Sequence, residues 1–163
     1  MKDKFSLRGF FVVEHRNKSG ELIGAYEMPN GIVDVGFNHI LDTEFHAAAQ
    51  VATWYIGLVD NAGWTAWAAA DTMAAHAGWA ESVAYTEANR PEWTEGAAAA
   101  RAITNAVTVD FSINAIGNMK GIFIVSDNTK GGAIGILWST AAFTSVVAVS
   151  GGDTFKITYT VSG

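Results

Sequence analysis

Residues 106–163 alternate apolar and polar side chains segment after segment, a pattern that an α-helix cannot sort onto two faces. Across 153–161, Phe155, Ile157, Tyr159 and Val161 fall on one side, and Thr154, Lys156, Thr158 and Thr160 on the other. Val107, Val109, Phe111 and Ile113 alternate in the same way with Thr108, Asp110 and Ser112. Period-two patterning of this kind marks half-buried antiparallel strands. It predicts strands at 106–113, 119–126, 133–139, 144–149 and 153–161, with turns at 114–118, 127–132 and 150–152 and a tight bend at 140–143.

The first half of the chain reads differently. Segments 8–15 and 21–28 flank Asn17-Lys18-Ser19-Gly20, a hairpin with a glycine-bearing turn, and Pro29-Asn30-Gly31 ends it. A helix is predicted over 34–49, with Phe37, Ile40, Leu41, Phe45 and Ala48 on one face, Asp34 as N-cap, and Gly36 weakening its start. Thr53 to Val59 returns to strand and closes on Asp60-Asn61-Ala62-Gly63. Residues 64–96 then become a long insertion rich in tryptophan and alanine, with a two-turn helix expected at 71–77, capped by Asp71 and stopped by Gly78. A short helical turn is expected at 95–102. The whole is a mainly β chain: an N-terminal arm at 1–7, then a single antiparallel β-sandwich domain at 8–163, jelly-roll or Ig-like, with one amphipathic helix and the insertion at 64–96.

Only 16% of the residues are charged and half are hydrophobic, against an ordinary charged share of about 25%. So little polar material covers a lone monomer poorly, which points to subunit contacts in a homo-oligomer. Cysteine is absent, excluding disulfides and thiolate chemistry. No apolar run approaches the ~18 residues of a membrane helix, and Glu14-His15-Arg16 interrupts the one short apolar stretch near the start that a signal peptide would need. The chain is expected to stay where it is made, or to leave by lysis within an assembly.

Charge is unevenly laid out. Residues 1–20 hold five basic and two acidic side chains; 21–95 hold eleven acids and Arg90 alone; 96–163 hold four basic and three acidic. A basic tip beside an acidic middle is either a docking polarity or a pair of solvated faces. With no basic stripe to neutralise phosphates, nucleic acid is disfavoured as a partner.

Chemistry finds few anchors. His39, Asp42, Glu44 and His46 are close in sequence, but no His-Glu-x-x-His pattern is present, and His46 reads as a packed or interfacial histidine rather than a ligand. His15 and His76 stand alone. No Gly-x-Ser-x-Gly elbow occurs, and Lys130-Gly131-Gly132 lacks the end of a phosphate loop. No metal, cofactor or catalytic residue is assigned. Trp64, Trp67, Trp79 and Trp93 dominate the insertion, beside Trp54, Tyr55 and Tyr85. They form a mini-core or subunit interface, or else a ligand or receptor surface. With Glu81, Glu87, Glu92 and Glu95 they would, most remotely, furnish the carboxylate pair of a glycosidase. Arg90 is read as tying neighbouring carboxylates together.

Several stretches carry a resemblance. They are 30–33 with Phe37-Asn38-His39-Ile40-Leu41-Asp42, then Thr53-Trp54-Tyr55-Ile56-Gly57-Leu58, His76-Ala77-Gly78-Trp79, the segment 85–93, and the block 121–163 with Leu137-Trp138-Ser139. Together, over about three quarters of the chain, they resemble small virion structural proteins of tailed bacteriophages. The resemblance implies a non-enzymatic capsid decoration (cement) protein, assembled in the bacterial cytoplasm, that holds the head together through multivalent contacts with the major capsid protein. A trimer or dimer would hide the surplus apolar surface. Lys2, Lys4, Arg8, Arg16 and Lys18 are then the candidate capsid contact, and Trp64, Trp67, Trp79 and Trp93 the candidate subunit-interface or ligand contact. The alternative is a tail- or fibre-associated adhesin binding host surface glycans.

Overall fold

The computed structural model describes residues 6–163 and is a sandwich of two antiparallel sheets. The first sheet contains β1 (Arg8–Arg16), β2 (Leu22–Pro29), β7 (Ala102–Thr104), β8 (Val109–Ser112) and β11 (Thr154–Ser162). Its order is β2-β1-β11, and the far edge of β11 is shared end to end by β7 and β8. The second sheet contains β3 (Gly31–Ile32), β4 (Trp54–Asp60), β5 (Ala80–Ser82), β6 (Glu92–Trp93), β9 (Gly117–Val125) and β10 (Leu137–Val149). Its order is β3-β10-β9-β4, with β5 and β6 sharing the outer edge of β4. One helix, α1 (Asp34–Phe45), links β3 to β4. It is too short to cross a membrane, and no helix among the described residues is long and apolar enough to do so.

The predicted alternation packs as expected. Phe155, Ile157 and Tyr159 of β11 point inward with Phe11 and Val13 of β1, and meet Ile56, Leu58, Ile122, Ile124 and Phe143 from the opposing sheet. The 17–20 turn forms as well: Asn17 Oδ1 accepts the Ser19 and Glu21 amides, and Gly20 takes φ +82°, a conformation that suits glycine.

β4 and β9 do not alternate, because both of their faces are buried. Ile56, Leu58, Ile122 and Ile124 face the other sheet, whereas Val59, Phe123 and Val125 face outward into a second core completed by Met73, Trp79, Trp64 and Trp67. The insertion is therefore a third layer laid over the second sheet, and strands covered on both faces read as apolar runs.

Several expected elements fold otherwise. The 71–77 segment is not a helix but a tight turn bridged between Thr72 and Ala75, held because Asp71 Oδ2 accepts the Ala68 amide and the Trp79 indole. Residues 95–102 form no helical turn; Glu95 bridges to Asn105 and Ala99 to Ala102. The expected 106–113 strand is confined to β8. Of the expected 133–139 strand only 137–139 is strand, and it runs on through the expected 140–143 bend into 144–149 as one long strand, β10, with a register shift between Ala142 and Val147.

The helix ends at Phe45 rather than at 49, and Val33, not Asp34, stands at its N-cap position without a side-chain cap. Of its apolar stripe only Ile40 packs against the core. Phe37, Leu41 and Phe45 are 43%, 55% and 81% exposed. What docks α1 is Gly36, its one buried residue, where a Cβ would sit 2.5 Å from the Trp138 carbonyl oxygen of β10. The glycine that weakens the helix locally is the contact that seats it.

Candidate functional site

The basic residues predicted to form one anchor are not one patch. Arg8 opens β1 and Arg16 closes it, so they stand about 26 Å apart at strand spacing. Arg16 spends its charge locally, donating to Glu14 at 2.7 and 3.1 Å and to the Gly20 carbonyl at 3.1 Å. Lys18 is exposed in the turn beside it. Lys2 and Lys4 lie outside the described residues. Arg8 belongs to the other end, where the preceding Ser6 and Leu7 border a small apolar hollow with Phe37, Ile40 and Leu41 of α1.

The four tryptophans also divide. Trp64 and Trp67 meet at 4.6 Å, Trp67 and Trp79 at 5.3 Å, and Trp79 rests on Phe123 at 5.1 Å. These three rings are the mini-core beneath the insertion. His76, isolated in the sequence, stacks on Trp79 at 3.9 Å. The ring of Trp67 approaches the backbone of Gly121 so closely that any side chain there would collide with it. Trp93 sits elsewhere, between the sheets, 5.2 Å from Tyr159, with its indole donating to Asn105 Oδ1 at 2.7 Å.

Trp93 does reach a cavity, in company the sequence does not announce. At the end of the sandwich below α1, the sheets part around a cleft of about 630 Å³. Trp54 lies directly across from Trp93 in the β4–β6 pairing, and Trp138 of β10 lies 6.0 Å from Trp54. Ile124, Ile103 and Val161 form the floor; His39, Thr43 and Glu44 come from α1, and Glu95 from the loop after β6. His39 packs edge-on against Trp54 at 5.8 Å. The signal available in the sequence was the pair Trp54 and Trp138 in strands of known type. That both lean toward Trp93 depends on β4 and β10 flanking β9, a pairing no local pattern encodes.

The acids considered for catalysis are mostly engaged in structure. Glu81 takes a two-point contact from Arg90 at 2.7 and 3.0 Å and accepts the Gly131 amide at 2.8 Å. Arg90 is 1% exposed and also lies 3.8 Å from Asp127 Oδ1, so it does tie carboxylates together, as expected, and it donates to the carbonyls of Asp127 and Gly132 besides. Glu87 accepts the Ser112 amide. Tyr85, beside Glu81, has its phenol pushed well up by burial and then by that carboxylate. His15 acquires a partner across the fold, Asp153, at 2.9 Å in a buried contact. His46, expected to be packed or interfacial, is exposed just beyond α1. Among the described residues no group of three or more His, Asp or Glu side chains is placed to hold a metal ion.

The chain matches no family model and no curated protein.

Proposed function

We propose that this protein is a non-enzymatic structural component of a phage virion, most specifically a capsid decoration protein that works by surface contact with the major capsid protein. One observation carries the reading. In a chain short of charge, the helix keeps three large apolar side chains of one stripe, Phe37, Leu41 and Phe45, in solvent. An apolar row left uncovered in this way marks a surface that another molecule covers.

The stripe and Arg8 lie at the same end, joined through Ser6 and Leu7. That end is the face laid against the shell, and repetition over a symmetric capsid turns a modest contact into firm attachment. Arg16 and Lys18, at the opposite end, are not part of it. The adhesin alternative draws less support: Trp64, Trp67 and Trp79 pack on one another and on Phe123 as a mini-core rather than around a shared cleft.

The test is copy number in purified virions, by quantitative mass spectrometry against the major capsid protein. About one copy per capsid subunit is expected of a shell-covering protein. A handful of copies moves the protein to the tail, and absence from the particle refutes the reading.

A further inference from the structure

We propose that the cleft between α1 and the open end of the sandwich binds a small organic cation carried on an apolar body. This stands apart from the virion reading, since it rests on the cavity alone.

Size comes first. About 630 Å³ lies within the range of cavities that enclose small molecules and exceeds what one protein side chain fills. The walls come next. Trp138 and Trp93 are only 9% and 6% exposed, and their N–H groups point into the protein, toward Tyr159 Oη at 2.8 Å and Asn105 Oδ1 at 2.7 Å. What they offer the cavity is ring carbon. Trp54 completes the wall, inclined 53° to Trp138. Indoles inclined to one another around a shared space make an aromatic cage, whose ring faces attract alkylated ammonium groups.

The rim decides the sign of the charge. Glu44 and Glu95 border the cleft, and no lysine or arginine lines it among the described residues. The last turn of α1, which supplies Glu44, carries no basic residue. The partial negative charge of its terminal carbonyls is therefore uncompensated and adds to the two carboxylates. An anion would be repelled. Thr43, whose buried hydroxyl has no hydrogen-bond partner, His39 and Gln50 also line the cleft; a neutral sugar would use these groups but leave the charge of the two carboxylates unanswered.

Phenyltrimethylammonium titrated into the full-length protein tests this, followed by calorimetry and by the indole N–H signals in ¹H–¹⁵N spectra. Saturable shifts of the Trp54, Trp93 and Trp138 signals are expected. The carbon isostere tert-butylbenzene should bind about tenfold more weakly, and the double variant Glu44→Gln/Glu95→Gln, altered only at exposed positions, should lose most of that preference. Equal binding of the neutral isostere overturns the proposal, as does undiminished preference in the double variant. Shifts produced by chito-oligosaccharide and not by the ammonium overturn it too, and make the cleft a sugar site.

Discussion

The indole of Trp138 donates to the phenol oxygen of Tyr159 at 2.8 Å, joining β10 of one sheet to β11 of the other through the centre of the core. Asn30 Nδ2 donates to the same oxygen at 2.7 Å, and Ser139 Oγ lies 3.4 Å away. The sandwich is thus pinned by one polar atom that receives two N–H groups in a site with almost no solvent. Tyr159→Phe keeps the ring but strands both donors, and a buried donor without a partner costs more than the bond itself returned. A loss of about 2–3 kcal/mol is expected, read as a lower urea midpoint at unchanged slope. A loss below the error of the fit would mean that the two donors find new partners.

The same phenol makes the fold sensitive to alkali. Burial pushes Tyr159 up to about 12, against the opposing pull of hydrogen bonds from Ser139, Trp138 and Asn30. The unfolded phenol loses its proton near pH 10, so between about pH 10 and 12 the native state binds a proton that the unfolded state has released, and stability falls as pH rises. This contribution is complete below pH 10 and amounts to about 2–3 kcal/mol. Tyr85, also shifted upward by burial, keeps part of the slope. Urea midpoints measured across this window should therefore fall more steeply in the wild type than in Tyr159→Phe; parallel curves would show that Tyr159 ionises without unfolding the protein.

How much of this was legible follows from where the information sits. β1, β11 and the 17–20 hairpin were readable because each has one wet face, so Phe11, Val13, Phe155 and Ile157 stand out against the polar residues between them. A mini-core of Trp64, Trp67 and Trp79 is legible as one of two alternatives, since large rings in a long insertion need cover. The orientation of α1 was not readable. Spacing shows that Phe37, Leu41 and Phe45 share a face, but seating was decided by the backbone fit of Gly36 on Trp138. The cleft was hidden for a related reason: Trp54, Trp93 and Trp138 are far apart in sequence and meet only through the strand order of the second sheet.

Arg90 supports the insertion from within. Its guanidinium holds Glu81 at two points and caps the carbonyls of Asp127 and Gly132, with the Phe123 ring 5.3 Å away. Arg90→Met would leave the Glu81 carboxylate, only 7% exposed, without its counter-charge. Removing one member of a buried pair costs about 3–5 kcal/mol. Glu81→Gln strands a guanidinium that cannot shed its proton and turns one accepting oxygen into an NH2 group facing N–H donors of Arg90 and Gly131, so it should cost about as much. Thermal melts of the two variants should show similar shifts. A much smaller shift for Glu81→Gln would mean that the backbone carbonyls, not the carboxylate, are what Arg90 serves.

The exposed stripe of α1 separates folding from assembly. Leu41 and Phe45 are 55% and 81% exposed and contribute little to the core. Leu41→Asn/Phe45→Asn should therefore melt within about 0.5 kcal/mol of the wild type, as surface changes ordinarily do. If the stripe is the capsid face, the same variant should fail to co-sediment with capsids lacking the native protein. Full retention would place the contact elsewhere. The wild-type interaction should also tolerate added salt, because apolar burial is not screened, whereas exposed charges are screened beyond about 10 Å at 0.1 M. Release of the wild type by moderate salt would transfer the anchoring role from Leu41 and Phe45 to Arg8.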